Sequence, residues 1–435
     1  MRRPARRSLA AALVLGALVA GCGSNVTVQG GNDALEETTF TVYSDLPLLG
    51  SDAPAMNSIV NGELIALYDA GGRVRYRSGG RTREFHVSVD SVNDANPLYG
   101  SWTNNSTQLT ARVASSDLST VAYIGDFDNG ATADSIPLNN EYDVLQLTPG
   151  SPYLGFTGKG PGVLGTDPDT YYPFGRPYGQ RTFARLVPDY RQEATATLAY
   201  MRSLGVRRLY VLDDDADPLD AEIAPLVAAA ARAAGVEVVG QADVATGTAS
   251  DPGGQAASDY SAAAAAVAAA HPDAVLFGGA ANLSAALLWS ALHQAVPAAR
   301  LFAPSTLAVP AFLENLTPAT ARVTYVTSPY LEPDQYPAAA QRVFAQYRTL
   351  FPGERPSVYA LYGYEAMKDV LAAIHRAGRY AGDRKTLTNA FFHLGLIHGV
   401  IGTYRILPSG DTTLDGFDGY RVGSSGQLVL VRRIS

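Results

Sequence analysis

One cysteine, Cys22, is present in 435 residues, which excludes an internal disulfide framework and any cysteine-based metal centre. Histidine is scarce as well. There are six, and His393 and His398 stand five apart, so they do not share a helix face as paired metal ligands do. The sequence contains no His-Glu-x-x-His motif and no Gly-x-Ser-x-Gly elbow; Gly423-Ser424-Ser425-Gly426 is one residue short of the latter. Gly158-Lys159-Gly160 lacks both the spacing and the hydroxyl of a phosphate-cradling loop, and no Gly-x-Gly-x-x-Gly fingerprint follows the first strand. Positive charge is in deficit too, with 33 Lys and Arg against 41 Asp and Glu, a formal charge of -8. A nucleic-acid partner calls for a basic face, so none is expected. These absences argue for a protein without cofactor, resident metal or catalytic constellation.

The chain also lacks a run of ~18 uncharged apolar residues after its first forty, so no spanning helix is expected. What stands at the start is shorter. Arg2, Arg3, Arg6 and Arg7 precede twelve apolar residues, 9–20, the length of a signal-peptide core. Val19-Ala20-Gly21-Cys22 looks like a bacterial lipobox, in which the cysteine receives a lipid and becomes the new N-terminus. A plain secretory signal with an incidental cysteine is the alternative. Residues 1–21 are therefore expected to be a lipoprotein signal peptide, Cys22 the lipidation site, and the polar 22–38 a tether. The protein is then extracytoplasmic, held to the bacterial cell membrane by lipid.

With 47% hydrophobic residues the remainder can bury large cores. Its organising stretch is 121–151. An apolar strand (Val121-Ala122-Tyr123-Ile124) runs into a turn (Gly125 to Gly130), a helix, a second strand (Val144-Leu145-Gln146-Leu147) and a loop (Thr148-Pro149-Gly150-Ser151). Short apolar runs that end in Gly and small polar residues before a helix are βα units of a parallel sheet. Such sheets collect ligands at the carboxyl ends of their strands.

Upstream, 40–43 and 84–89 read as strands and 55–68 as a helix closed by Ala70-Gly71-Gly72. Residues 104–114 carry Leu109 and Val113 at helical spacing. The order β-α-β-α-β-α-β predicts a doubly wound sheet. Residues 152–179, rich in Gly, Pro and Tyr, break the rhythm and predict a long loop that either covers a cleft or wraps the surface. A second βα series follows over 185–305. Helices at 338–350, 359–377 and 387–394 come after it and need a sheet to pack on, and short strands at 403–406, 419–422 and 428–431 close the chain.

Two acidic groups invite a functional reading. Asp213-Asp214-Asp215-Ala216-Asp217 follows a strand and resembles the start of a calcium loop. Pro218 and Ala224, however, stand where that loop needs Gly and Glu. The bland reading is solvated carboxylates at a helix start; the sharper one is a ligand contact by Asp214. Asp126 and Asp128 lie in the central turn and serve either as turn and N-cap residues or as ligand contacts.

The order of several pieces carries a resemblance. They are Leu46-Pro47-Leu48-Leu49-Gly50, Ala70-Gly71-Gly72, Val121 to Gly125, Leu147-Thr148-Pro149-Gly150-Ser151, Val187-Pro188-Asp189 with Gln192, Pro272 to Gly279, and Tyr362-Gly363-Tyr364-Glu365-Ala366. From about Thr39 onward the chain resembles type I periplasmic solute-binding proteins, in the group of branched-chain amino-acid receptors of ABC importers. The resemblance implies an α/β fold of two Rossmann-like lobes, 39–184 plus 327–402 and 185–326 plus 403–435. A three-strand hinge would join them around a ligand cleft. It implies a monomeric receptor, not an enzyme, whose partners are a small polar solute (an amino acid, amide or related molecule) and an ABC permease. Ser51, Asp126, Asp128, Asn129, Gly130, Gly150 and Ser151 from lobe one, and Asp214, Asn282 and Ser305 from lobe two, are the candidate ligand contacts. The serine and threonine that hold the amino-acid carboxylate in that group fall here on 129–131 and on Pro152, and the ammonium contacts fall near Ser305 and Pro218. An ordinary α-amino acid is therefore a poor fit unless Asp126, Asp128 or Asp214 substitutes. A sensor reporting to a membrane partner, and a hydrolase using Asp126 with Asp128 or Asp214, are the other readings.

Overall fold

The computed structural model describes residues 38–96, 100–172, 181–247 and 260–434. The expected signal segment, Cys22, all of the tether but Thr38, and residues 173–179 lie outside them.

Two sheets organise the described residues. The first contains β1 (Thr39–Leu46), β2 (Arg73–Ser78), β3 (Arg81–Asn93), β4 (Thr120–Gly125), β5 (Leu145–Thr148) and β6 (Phe183–Arg185), in the order β2-β3-β1-β4-β5-β6. All neighbours are parallel except the edge pair β2–β3. The second contains β7 (Arg208–Asp214), β8 (Glu237–Val244), β9 (Ala274–Gly278), β10 (Arg300–Ala303) and β11 (Thr324–Ser328). A ribbon of β12 (Ile397–His398) and β13 (Thr403–Tyr404) stands apart, and β14 (Phe417–Val422) and β15 (Leu428–Ile434) complete the second sheet as β15-β14-β11-β10-β9-β7-β8. Strand β14 runs antiparallel to β11, and β15 to β14. Every residue of β4, β5 and β9 is buried, as expected of strands covered on both faces by helices.

The chain passes between the sheets three times: after β6, after β11 and after β13. The late helices Ala338–Leu350, Tyr359–Ala377 and Arg384–Phe392 share one hydrophobic core with Phe40, Val42, Val121 and Ile124 of the first sheet. Helix Tyr359–Ala377 crosses helix Ala53–Asp69 backbone to backbone. A Cβ on Gly62 would lie 2.0 Å from the Ala360 carbonyl oxygen, and one on Gly363 would lie 2.0 Å from that of Ile59. Glycine is what permits this approach.

Three local expectations change. The simple β-α alternation misses β2, whose Arg73, Arg75 and Arg77 stand on a sheet edge. Its hairpin to β3 turns at Gly79-Gly80, both with positive φ (58° and 77°), the backbone that a two-residue hairpin needs. The helix Asn104–Ser116 forms, but Leu109 and Val113 are 64% and 50% exposed. Its buried side is Thr107, Ala111, Ala114 and Ser115, small residues that let helix Asn129–Glu141 approach; Ser115 Oγ donates to Asn139 Oδ1 (3.2 Å). Residues 185–189 do not open the second series: Arg185 ends β6, paired with Thr148 of β5.

The segment from 152 wraps more than it covers. Tyr153, Phe156 and Tyr171 are buried in one cluster with Tyr190, Ile223 and Leu226 of the second sheet's helices, and Leu154 N donates to Glu222 Oε2 (2.7 Å). Of its described residues, Pro152 lines the cleft.

Candidate functional site

In each sheet the chain reverses its order beside the first strand of the series, β1/β4 in one and β7/β9 in the other, and leaves a crevice at the carboxyl ends. Loops from these ends enclose one cleft, lined from the first sheet by Phe127, Asp128, Asn129, Gly150, Ser151 and Pro152. From the second sheet and the connections come Val187, Asp220, Ala281, Ser305, Thr306, Pro329 and Tyr330. The empty space is about 460 Å³ with the open solvent at its mouth included, but the enclosed room is only about 30 Å³, so the cleft is nearly shut on its own side chains.

Five of the expected contacts, Asp128, Asn129, Gly150, Ser151 and Ser305, line this cleft. Most of their donors are already engaged. Asn129 Nδ2 donates across the cleft to Asp220 Oδ1 (2.6 Å) and to the Tyr190 hydroxyl (3.1 Å), while its Oδ1 accepts from Tyr153 N (3.0 Å). Gly150 N donates to Thr148 Oγ1 (3.0 Å), and Ser151 N to the Phe127 carbonyl (3.0 Å). The Ser151 hydroxyl sits 2.5 Å from that of Thr132 and also donates to the Phe127 carbonyl (3.1 Å). Ser305 gives its N and Oγ to the two oxygens of Glu193 (2.6 and 2.7 Å).

Asp128 differs. It holds the N-cap position of helix Asn129–Glu141 but makes no capping bond, and no hydrogen bond reaches its carboxylate among the described residues. Burial, with the charges of Asp52, Asp126 and Asp217, pushes its carboxyl up to about 8. Burial likewise raises Asp220 and Glu193 to about 7, although hydrogen bonds from Asn129 and Tyr190, and from Ser305, pull the other way. Phe127 and Tyr330 face each other at 6.4 Å between ring centres, 18° from parallel, and Tyr330 is anchored by donating to the Pro149 carbonyl (2.9 Å).

The other five expected contacts lie elsewhere, each for a visible reason. Ser51 is exposed in the turn before helix Ala53–Asp69. Its neighbour Asp52 does the bridging, accepting from Ala311 N at 2.8 Å. Gly130 is covered by Trp102, whose ring lies 2.1 Å from where a Cβ would be. Asp214 is fully buried and accepts from Ala216 N, Thr246 N (both 3.1 Å) and Thr246 Oγ1, which ties the ends of β7 and β8. Asn282 caps helix Leu283–Ala295 through Ala285 N (2.8 Å) and donates to the Gly247 carbonyl (3.0 Å). Asp126 is fully buried on the far side of its loop, held by Tyr123, Ser135 and Gln146. It therefore does not pair with Asp128 across the cleft, as hydrolysis would need.

Sequence reasoning missed Phe127, Val187, Asp220, Ala281, Thr306, Pro329 and Tyr330 as lining residues. Tyr330 had a usable signal, since Ser328-Pro329-Tyr330 is again a strand end running into a loop. Asp220 had none, because its helix is brought to the cleft only by closure of the two sheets' loops.

No helix among the described residues is long and apolar enough to cross a membrane. No curated protein sequence matches the chain. Among solved structures it is similar to the leucine binding protein LivK of Thermotoga maritima, at 18% identity, covering 91% of this chain and 99% of that one, with a TM-score of 0.68. It is similar also to LivJ of Streptococcus pneumoniae, a branched-chain amino acid transporter substrate binding protein in complex with isoleucine (15% identity, 90% and 99% covered, TM-score 0.66). A third is a solute binding protein of an ABC transporter from R. palustris in complex with benzoate (17% identity, 91% and 96% covered, TM-score 0.64). At such identities the likeness is one of fold, and it is the two-lobe α/β fold of type I. The model of the periplasmic binding protein family matches residues 119–426, and the chain belongs to that family.

Proposed function

We propose that the protein is an extracytoplasmic receptor, lipid-anchored through Cys22, that carries a small polar organic solute to an ABC permease. Two lobes, one built around each sheet with the chain crossing after Arg185, after Ser328 and between 404 and 417, close on the solute, which is bound and released unchanged.

The observation that supports this most is the cleft itself, with Asp128 beside the Phe127 and Tyr330 rings at the meeting of the two sheets' carboxyl ends. Its composition also narrows the solute. The structural relatives hold leucine, isoleucine or benzoate, each with a carboxylate that needs donors. Here Asn129, Ser151 and Ser305 have given their donors to protein acceptors, which leaves the Asp128 carboxylate and the Thr306 hydroxyl as the unengaged polar groups of the lining among the described residues. Asp128 is half-buried and accepts no bond from the described residues, so a solute that brings N–H donors to it gains most. An amine, amidine or amide with a short apolar body meets both Asp128 and the aromatic rings.

A thermal-shift screen of the purified protein against amines, amides, amino acids, aromatic acids and short peptides tests this. Ligand at ~100 times Kd adds about 2.7 kcal/mol, a shift of a few degrees. A hit among N–H-rich solutes that is recovered intact supports the reading. Hits confined to carboxylic acids refute the solute class, and a hit that is consumed refutes the receptor.

A further inference from the structure

Behind the cleft, the same strand ends hold a second group of side chains that solute binding does not use. β3, β1 and β4 are neighbours, and each delivers an aspartate at its carboxyl end. Asp45 is in β1, Asp94 follows β3 and Asp126 follows β4. All three are fully buried, and one carboxylate oxygen from each lies within 4.8 Å of the other two.

Their partners do not suffice. The Tyr123 hydroxyl reaches both Asp45 Oδ2 (2.7 Å) and Asp126 Oδ1 (2.8 Å), yet it has one proton to give. Ser135 and Gln146 serve Asp126 Oδ2. Asp45 Oδ1 and both oxygens of Asp94 have no hydrogen-bond partner among the described residues. The charges acting on Asp94 are Asp45, Asp126 and Asp128, all of the same sign. Three buried carboxylates facing one another, with three orphaned oxygens, form the donor set of a cation site rather than of a packed core.

We propose that Asp45, Asp94 and Asp126 bind one hard divalent cation of the calcium class. The donors are all oxygen, without sulfur or imidazole, which selects calcium, magnesium or manganese over zinc and copper. Oxygens on opposite sides of a calcium ion stand about 4.6–5.2 Å apart, against about 4.2 Å for magnesium. The three oxygens all lie within 4.8 Å of one another, a span that an ion of either size can bridge. The ion bonds the start of the 126–130 loop to the ends of β1 and β3. That loop carries Phe127, Asp128 and Asn129 to the cleft, so the cation sets the position of one cleft wall without touching solute.

The test uses the whole purified protein and the metals alone. Chelate, dialyse, then measure bound calcium by equilibrium dialysis with elemental analysis, and follow the melting temperature with CaCl2, MgCl2 or MnCl2 against NaCl at equal ionic strength. The expected result is about one equivalent of calcium per chain and a melting temperature raised by calcium and not by sodium. Asp94→Asn is expected to weaken calcium binding at least tenfold and to lose the calcium-dependent shift. A chelated wild-type protein that takes up no stoichiometric divalent ion overturns the proposal. So does an Asp94→Asn protein that binds calcium as the wild type does. The dialysis result on the unmutated chain decides the matter if the variant fails to fold.

Discussion

Glu63 offers a test of the buried electrostatics that needs neither solute nor metal. It lies in helix Ala53–Asp69, fully buried; Oε1 accepts from Ser44 Oγ (3.0 Å) and Oε2 has no partner among the described residues. Burial raises its carboxyl from an ordinary 4.5 to about 8, although the Ser44 bond lowers it. Because the folded value is the higher one, the folded chain binds the extra proton between those two values. Stability therefore falls as pH rises from 4.5 toward 8 and levels off above. At pH 7 the folded side chain has kept a proton that the unfolded one has lost. Holding it from 4.5 up to 7 costs about 3 kcal/mol at about 1.36 kcal/mol per pH unit. Glu63→Gln keeps the shape and removes the titration. It should be near neutral at pH 4.5 and more stable than wild type by about 2–3 kcal/mol at pH 7, allowing about 1 kcal/mol for an unpaired amide N–H. Urea unfolding of both proteins at four or five pH values between 4 and 8.5 measures this. A difference that is the same at every pH, or a variant less stable at pH 7, would refute the reasoning.

Two further outcomes follow from the contacts that join the lobes. Asn129→Ala removes the bond that spans the cleft to Asp220; at about 1.5–3 kcal/mol for a bond to a charged group it should weaken solute binding roughly tenfold to a hundredfold and enlarge the radius of gyration. Unchanged affinity and unchanged small-angle scattering would show that closure does not rest on it. Arg185, fully buried, bonds the Ser151 and Tyr153 carbonyls, Thr157 and Asp411. Burial by itself would raise the Asp411 carboxyl, but Arg185, with Ser409 and Thr157, holds it below its ordinary value. Arg185→Met should cost about 3–5 kcal/mol in denaturant unfolding near pH 7, because it leaves the Asp411 charge without its counter-ion and removes a charged donor from both carbonyls. That loss should shrink as pH falls through the carboxylate range, and a cost under about 1 kcal/mol would contradict it.

The elements whose residues carry their own periodicity were legible in the chain. Helices 338–350 and 359–377 form with the bounds their patterns predict, since a long amphipathic helix has few other ways to bury itself. Where the pattern was short or small the chain was silent. β6 has three residues, and the buried face of helix Asn104–Ser116 is alanine, serine and threonine, which no hydrophobic count picks out. The site divided in the same way. The rule that ligands gather at strand ends is local, and it brought Asp128, Asn129, Gly150, Ser151 and Ser305 to notice. Which of two adjacent aspartates faces the cleft is not local. Asp126 turns inward to Asp45 and Asp94, and Asp128 outward to the solute space, because strand ends whose aspartates stand 49, 32 and 81 residues apart in the chain lie side by side. Sequence determined the sheet, the loop and the residue types available. Only the packing of β3, β1 and β4 decided which carboxylates meet one another and which are left for a ligand.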